Sequence, residues 1–467
     1  MFLTSTPLLQ FIGLFSLASV LINCGAAATK KNEIAVKEKI GEQTSLTAKN
    51  WSTQSNPSDI TVDWLQSFND TLLDRLVLEA QTNNRNLQAA AASVESAQAL
   101  AKQAGVALQP NIGLSSDAAR AGTGSGDIKP VDSRGLGLQV SWELDLWGRI
   151  RNNQQAAVNS VKAAQADFRY AQHSLAATTA QAYFALIEAN VQIESALENV
   201  DIIEETARIV DVQYKNGMVS AQDLALSRSN TASAREQLIS LKGAQRNAAR
   251  ALEVLLGRYP SAEIQAGNTL PDVPPAPPAG IPSELLERRP DMIAAERRVA
   301  AAFNKREVAR TARLPSLSLT GALGGSSNAL SSVLDPANTT WRLGANLVAS
   351  LFDGGAAQAQ VDAASAEQKQ ALFNYGQSAL TAFNEVETGL DQGTVLQQRR
   401  DELSIVQQEA DKAYRIASLR YKEGEISLLD LLSVQQRLIS AKTNLISIER
   451  LLLEQRTSLY LALGGDW

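Results

Sequence analysis

The sequence contains one pattern twice, and this duplication constrains the fold more than any other feature. Residues 213 to 223 read QYKNGMVSAQD and residues 420 to 430 read RYKEGEISLLD, 207 positions further on. The same offset aligns Gly148 with Gly355, and upstream of these glycines the offset becomes 205. A period of about 200 residues is too long for a solenoid repeat. The chain therefore consists of two copies of one large unit.

The duplication defines the domain boundaries. We place the first repeat at 61–270 and the second at 283–467. The stretch between them, 271–282, reads PDVPPAPPAGIP, which forms neither a helix nor a central strand and is predicted to be an extended connector. Before the first repeat we place a signal peptide at 1–23 and an extended segment at 24–60.

Each repeat opens with a helical segment and continues with two strands. Segments 80–108 and 285–313 are rich in helix formers, and each stops just before a proline. The following stretches alternate between apolar and polar residues, which predicts strands with one apolar and one polar face. The apolar positions are Leu136, Leu138, Val140, Trp142, Leu144 and Leu146 in the first repeat and Trp341, Leu343, Ala345, Leu347, Ala349 and Leu351 in the second. The polar positions are Gly137, Gln139, Ser141, Glu143, Asp145, Arg342, Gly344, Asn346 and Ser350.

Each repeat ends with a very long helical run and a return helix. The runs extend from Gly148 to about Lys215 and from Gly355 to about Lys422. At a rise of about 1.5 Å per residue each run spans about 100 Å, a length that the return helix and the opening helix match together. Apolar residues at a 3-4 spacing, such as Leu186 to Tyr214 and Leu431 to Leu452, predict coiled-coil seams, with ordinary core helices as the alternative. Each repeat is thus an antiparallel helical column with a β-hairpin at one end.

Four strands with an apolar face cannot close a barrel alone. A sheet that spans lipid must close, because unpaired edge amides find no water there, and the usual minimum is eight strands. Several copies of the chain must therefore pool their strands. The alternative is a soluble β-sandwich that packs the apolar face inward, but it leaves the long helices without a role.

Composition argues against an enzyme. The chain has one histidine, His173, and one cysteine, Cys24, so Ser-His-Asp, Cys-His and His-rich metal sites lack partners. No Gly-rich phosphate loop is present, and we predict no cofactor, no metal and no catalytic residue. A net charge of −6 gives no basic surface for nucleic acid.

The N-terminus resembles a secretory signal. Residues 8 to 22 are apolar apart from Gln10 and two serines, a length suited to a signal and short for a membrane span. The stretch ends at Leu21-Ile22-Asn23-Cys24, which resembles a bacterial lipobox, with Asn23 where a small residue is preferred. We predict a lipid anchor at Cys24, a palmitate-bearing lipoprotein. The alternative is ordinary cleavage after the alanines at 26–28, which discards the cysteine.

Several motifs carry a resemblance to a known family. WELDLWGR (142–149), RRPD (288–291), AERR (295–298), LPSLSL (314–319) and the ending LALGGDW (461–467) resemble those of TolC-type outer-membrane efflux factors, in their NodT-like lipoprotein branch. The match covers roughly residues 50 to 467. It implies a mainly α fold with a small β-barrel portion, in which three chains contribute four strands each to a barrel in the outer membrane. The helices then form a tunnel across the periplasm, and a periplasmic adaptor and an inner-membrane pump, often of the proton-driven RND class, act with it in multidrug efflux.

The resemblance also indicates where the channel closes. Family members commonly show Tyr-x-x-Gly-x-x-Asp at the periplasmic turn, where the acid contributes to a constricting ring; here Ser427 stands at that position. Glu423 and Glu425 flank Gly424 and could supply the negative charge instead, or they are two solvated charges near a helix end. Our candidate tip and gate residues are Tyr214, Gly217, Ser220, Asp223, Tyr421, Glu423, Gly424, Glu425, Ser427 and Asp430.

The candidate residues have assigned roles. Gly217 and Gly424 are expected to end the long helices with a positive φ. Tyr214 and Tyr421 either fill the seam or donate hydrogen bonds at the gate. Glu143, Asp145 and Arg342 are expected to face the lumen, where they tune selectivity or form a solvated wall.

The function that follows is the passive exit duct of a tripartite efflux pump, embedded in outer-membrane lipid and extending into the periplasm. One alternative is the outer-membrane channel of a type I protein secretion system. Another is a periplasmic coiled-coil adaptor, although the two predicted hairpins and the complete duplication argue against it.

Overall fold

The structure, a computed structural model, describes residues 34–43, 51–52, 64–122 and 130–465. The predicted signal peptide and Cys24 lie outside the described residues. The chain divides into two compact units. One contains Ala92–Ala166 and Ile293–Ser378 together with the N-terminal stretch to Leu46. The other contains Thr47–Ala91, Asp167–Met292 and Ala379–Trp467.

The order of α-helices and strands is the same in both repeats once the two N-terminal elements, a short helix and a 3₁₀ turn, are left aside. In the first it is α1 (34–43), a 3₁₀ turn (Trp64–Phe68), α2 (Thr71–Asn83), α3 (Arg85–Val106), β1 (Asn111–Ala121), β2 (Val131–Leu144), α4 (Arg149–Lys215) and α5 (Ala221–Leu255). In the second it is α6 (Pro282–Arg288), α7 (Pro290–Thr311), β3 (Ser316–Ser327), β4 (Thr339–Val348), α8 (Ala356–Lys422) and α9 (Leu428–Ala462). From α2 and α6 onwards each element of one repeat has a counterpart in the other. The prediction of a mainly helical fold with duplicated long helices and hairpins is confirmed.

The long helices have the predicted extent. Both α4 and α8 contain 67 residues, and both return helices, α5 and α9, contain 35. Several predicted seam residues are buried, among them Val210 and Leu452, which have no exposed surface, whereas Tyr214 at the end of the first seam is 42% exposed. Long side chains of high helix propensity fill the other positions, so packing of the seam and local preference favour the same structure. No helix in the described parts of the chain is apolar and long enough to cross a membrane.

The four strands form one antiparallel sheet in the order β1-β2-β3-β4. In the register, Leu138 pairs with Leu114 on one side and with Leu323 on the other, and Leu323 pairs with Trp341. Directly paired residues point to the same face of a sheet. One face is therefore apolar across all four strands, as the alternation predicted. Its side chains are exposed in the single chain, Leu114 by 72% and Trp341 by 75%.

The second of these compact units, which we call the helical unit, is built around an aromatic and aliphatic core. The indole of Trp64 stacks on Tyr460 at a centroid distance of 5.5 Å, and Phe68 packs against the fully buried Phe184. Leu252 of α5 joins the same cluster. This core therefore ties the start of the first repeat to the middle of α4 and to the last turn of α9.

The two repeats use different side chains to bind a carbonyl oxygen at the end of the return helix. Asn84 Nδ2 donates to the carbonyl oxygen of Leu255, near the end of α5, at 2.9 Å. Arg289, its counterpart at the 205-residue offset, donates from Nη1 to the equivalent carbonyl of Ala462 at 3.0 Å. Each side chain thus satisfies a C-terminal carbonyl that has no partner within its own helix.

The N-terminal segment departs from the predicted extended form, because residues 34–43 are helical. This stretch contains Glu, Ala and Lys, which favour helix, and Val36 is buried. Further along, Trp51 Nε1 donates to the carbonyl oxygens of Ala279 and Gly280 in the proline-rich connector, at 3.2 and 3.1 Å. The connector from 271 to 281 is neither helix nor strand.

Candidate functional site

Both long helices end at their turns in the same way. Gly217 and Gly424 have φ values of 75° and 76°, which L side chains rarely adopt. In the second turn Gly424 N donates to Tyr421 O at 3.0 Å and Glu425 N donates to Arg420 O at 2.9 Å, which is a Schellman motif, and the first turn repeats both bonds. The prediction that these glycines end the helices with a positive φ is confirmed.

Each return helix begins with a capping box. Ser427 Oγ accepts from Asp430 N at 3.2 Å, and the Asp430 carboxylate accepts from Ser427 N at 3.2 Å and from Ser427 Oγ at 2.7 Å. These donors, the hydroxyl first and the backbone N–H second, lower the pKa of Asp430. Ser220 and Asp223 form the same box at the start of α5. Ser427 therefore caps α9, and both aspartates are engaged in capping.

Tyr421 and Tyr214 occupy equivalent positions but different environments. Tyr421 is only 6% exposed and packs in a cluster with Val210, Leu428 and Leu431. Its hydroxyl donates to Gln213 Oε1 at 3.2 Å, which links α8 to α4. Burial raises the pKa of Tyr421, and the nearby Asp223 adds to this, so the phenol keeps its proton and remains a donor. Tyr214 is 42% exposed. Only Tyr421 both fills the seam and bonds across it.

The two candidate glutamates of the second turn, Glu423 and Glu425, also differ in their contacts. Glu425 Oε2 accepts from Arg420 Nε at 3.0 Å, in a pair of half-exposed side chains. The side chain of Glu423 is exposed and has no ion pair or hydrogen bond within the described chain. Glu423 is therefore the carboxylate at this turn that has no cationic partner within the described chain.

The polar face of the sheet is the candidate channel wall. Most of its residues are small or uncharged, although the register also places Asp117 and Glu143 on it, and Gln139 Nε2 donates to Ser115 Oγ at 3.0 Å. Arg342 lies on this face, paired in register with Ala322, and it is exposed. Gly137 and Gly324 pack backbone to backbone, because a Cβ on Gly137 would lie 3.3 Å from the Cα of Gly324. A wall of this composition leaves room for water next to the sheet.

The two acids at the base of β2 are engaged in holding α4. Glu143 accepts from Arg149 Nη2 with both carboxylate oxygens, at 2.7 and 2.8 Å. Asp145 lies beyond the last residue of β2, and its side chain is 7% exposed. Its carboxylate accepts from the backbone N–H groups of Ile150 and Arg151 at 2.9 and 3.0 Å and from Arg151 Nε at 3.0 Å.

These contacts correct the predicted role of Asp145. Its carboxylate compensates the free N–H groups and the positive dipole at the start of α4 instead of lining a lumen. Glu143 is half-buried and neutralised by Arg149. The lumen-facing assignment stays a prediction for Arg342 and for Glu143, which is paired with Arg149. Among the described residues, no group of histidine, cysteine and acidic side chains is arranged to hold a metal ion.

The fold combines duplicated long helical hairpins with a sheet that has one apolar and one polar face, which is typical of outer-membrane channel proteins. The family model of the outer membrane efflux protein matches residues 76–258 and again 281–465. The chain belongs to this outer membrane efflux protein family, and it is an outer-membrane protein.

Individual relatives cover nearly the whole chain. The chain is 32% identical over 425 residues to the pyoverdine export outer membrane protein OpmQ of Pseudomonas aeruginosa, covering 89% of each. It is 30% identical over 410 residues to the cation efflux system protein CusC of Escherichia coli O6:H1, covering 86% of this chain and 88% of CusC. Among solved structures, the CmeC outer membrane channel of Campylobacter jejuni matches with a TM-score of 0.85 and 29% identity, covering 91% of this chain and 92% of CmeC.

Two candidate functional residues were not predicted from the sequence. Gln213 and Arg420 are the partners of Tyr421 and Glu425, and both occupy the position before the tyrosine of their own repeat. The pairing of Gln213 with Tyr421 joins residues 208 positions apart, and nothing local marks it. The capping boxes could have been predicted, because Ser-x-x-Asp occurs at the same place in both turns.

Proposed function

We propose that this protein is the outer-membrane exit duct of a tripartite efflux pump, which passively conducts small molecules across the periplasm and the outer membrane. It acts as a homotrimer with a periplasmic adaptor and an inner-membrane pump, and it uses no cofactor and no covalent chemistry. The observation that carries the proposal is the combination of duplicated 67-residue helices with a sheet that has one apolar and one polar face.

The open sheet supports the oligomeric state. The strands β1 and β4 lie at the two edges, and each leaves one row of backbone groups unpaired in the single chain. Lipid cannot satisfy these groups, so copies of the chain pair edge to edge until the sheet closes. Three copies supply twelve strands, above the usual minimum of eight.

The named relatives support efflux over protein secretion. OpmQ is named for pyoverdine export and CusC for cation efflux, which are two unlike chemistries. A wall of small polar residues suits both, because it offers water and few specific contacts. We infer that the duct is chemically unselective and that the pump selects the substrate.

A direct test uses cells that lack the gene. Deletion is expected to increase susceptibility to the compounds that the partner pump expels, and plasmid-borne wild-type protein is expected to restore resistance. The variant Glu143→Gln/Arg149→Gln, which removes both charges of the ion pair, should also restore it. Unchanged susceptibility to a broad panel of toxic compounds, with the pump and adaptor expressed, would contradict the proposed function.

The Tyr421–Gln213 bond is expected to hold the periplasmic end closed. Tyr421→Phe removes only the hydroxyl, and losing one hydrogen bond of about 1 kcal/mol shifts a two-state equilibrium about fivefold. We expect about fivefold more open time in planar-bilayer recordings. Tyr214→Phe is the matched control, since Tyr214 is half-exposed and its hydroxyl has no hydrogen-bond partner in the described chain. Equal open times for the two variants would remove Tyr421 from the gate.

Cys24 is expected to carry the lipid anchor. Cells fed radioactive palmitate should label the wild-type protein, and Cys24→Ser should abolish the label. Mass spectrometry of the mature N-terminus provides the second measurement. A mature chain that begins beyond residue 24 without an acyl chain would refute the anchor and leave the channel proposal intact.

A further inference from the structure

The connection between β3 and β4 folds back over the apolar face of the sheet. Gly325 lies on this face, because it is two residues along β3 from Leu323, which pairs with Leu138 and Trp341. A Cβ on Gly325 would collide with the carbonyl oxygen of Val333. Residues 328–338, which we call the rim loop, therefore lie directly against the outer surface of the strand.

The rim loop is firmly held and yet presents apolar side chains outward. Asn338 Nδ2 donates to Ser332 O at 2.7 Å, and the Ser327 and Ser332 hydroxyls are hydrogen-bonded at 2.7 Å. Val333 is 3% exposed, whereas Leu330 and Leu334 are 74% and 78% exposed. A loop this well bonded displays two leucines to its surroundings without burying either.

The strands alone give an apolar band that is short for an outer membrane. On β3 the band runs from Leu317 to Gly325, eight residue steps or about 26 Å of strand at about 3.3 Å per residue. A strand tilt of about 40° reduces this to a height of about 20 Å, whereas a lipid-facing band is about 25 Å tall. The rim loop follows Gly325, at one end of this band.

Charged side chains follow the apolar rows towards the rim-loop end of the sheet. Arg134 is on the same face, two residues beyond Leu136, and its Nη1 donates to Asn328 O at the start of the rim loop, at 2.9 Å. One step further, Arg120 and Asp132 approach to 3.6 Å. Leu330 and Leu334 thus belong to a loop that is tied to the boundary between the apolar rows and the charged rows.

We propose that the rim loop is a lipid-contacting shelf, in which Leu330 and Leu334 insert into the acyl chains of the outer leaflet of the outer membrane. The shelf completes the apolar band above Gly325 and fixes the depth of the sheet in the bilayer. Lipid is the occupant because the loop continues the apolar face of the sheet and lies at the end of the strands remote from their connections to the helices. The inference rests on the proposed function, since it requires the sheet to span the membrane.

The test places a polarity-sensitive label at single positions. Leu330→Cys, Leu334→Cys and the neighbouring Asp335→Cys are labelled with a nitrobenzoxadiazole probe in the full chain, and Leu343→Cys on β4 provides the reference for the apolar face. Wild-type protein taken through the same labelling gives the background. Each sample is reconstituted into phosphatidylcholine vesicles that contain 5-doxyl lipid, and quenching by the lipid label and by aqueous iodide is compared.

We expect doxyl lipid to quench positions 330 and 334 at least twofold more than position 335, and iodide to show the opposite order. Lipid quenching at 343 without any at 330 and 334 would overturn the shelf and leave the membrane sheet intact. Shielding of 330 and 334 from both quenchers would also overturn it, because a neighbouring chain would then cover them. Absence of lipid quenching at 343 would contradict the proposed function itself. Heat-stable oligomer on gels verifies folding of each labelled sample.

Discussion

Val140→Lys is expected to lower the amount of folded protein in the outer-membrane fraction at least tenfold. Val140 lies in the middle row of the apolar face, paired with Ile112 and Gly321. A lysine on the lipid side near the bilayer midplane costs about 2–4 kcal/mol, which exceeds the 1.4 kcal/mol of a tenfold change in an equilibrium constant. Every copy in the assembly carries the substitution. The measurement is heat-stable oligomer in isolated membranes, quantified by immunoblot.

Gln139→Lys is the matched control, one residue away on the opposite face. The Gln139 side chain donates to Ser115 across the strand pair and is exposed. A charge on the water-lined face should be tolerated, so we expect near wild-type amounts of oligomer. If Gln139→Lys were the more damaging of the two, the faces would be reversed and the sheet could not present its leucines to lipid.

Arg289→Ala is expected to destabilise the helical unit by about 2 kcal/mol, since it removes a buried guanidinium and its charge-assisted hydrogen bonds to two partly exposed carboxylates. The Arg289 side chain is 3% exposed. It donates to Asp291 at 3.0 and 2.9 Å, to Glu385 at 2.6 Å and to the carbonyl of Ala462. These carboxylates raise the pKa of Arg289 despite its burial, so it stays charged. Urea unfolding followed by far-ultraviolet circular dichroism gives the change.

The duplication provides the comparison for Arg289. Asn84→Ala removes the equivalent bond in the first repeat, to Leu255, together with the cap on Leu87 N at 3.1 Å. Neither partner of Asn84 is charged, so we expect a loss of about 1 kcal/mol. Equal losses for the two variants would mean that the ion pairs of Arg289 add nothing beyond the bond to the helix end.

Local patterns predicted the scaffold well because the forces that form it are local. The 3-4 spacing from Leu186 to Tyr214 and the lack of helix breakers placed the end of α4 at Lys215, where the structure ends it. The alternation from Leu136 to Leu144 placed both faces of β2, because the side-chain period of a strand is two. The alternation gave the wrong role for Asp145, because the strand ends before it and its carboxylate accepts hydrogen bonds from the start of α4.

The contacts that distinguish the two repeats could not be predicted. Tyr214 and Tyr421 have nearly identical neighbours in sequence, yet one is half-exposed and the other is buried against α4. The difference arises from tertiary packing, which a single sequence does not encode locally. Arg289 likewise gains its role from Glu385, 96 residues away. Helix α1 was missed because its ten residues are too few for a clear periodic signal.

We propose that this chain forms a membrane-spanning duct with a closable periplasmic end. The most direct measurement is single-channel recording of the purified protein in planar lipid bilayers, with wild type, Tyr421→Phe and Tyr214→Phe compared. We predict discrete conductance steps for all three, with long closed intervals in wild type and Tyr214→Phe and about fivefold more open time in Tyr421→Phe. Folded oligomer that inserts into the bilayer and shows no conductance steps in any of the three would contradict the account.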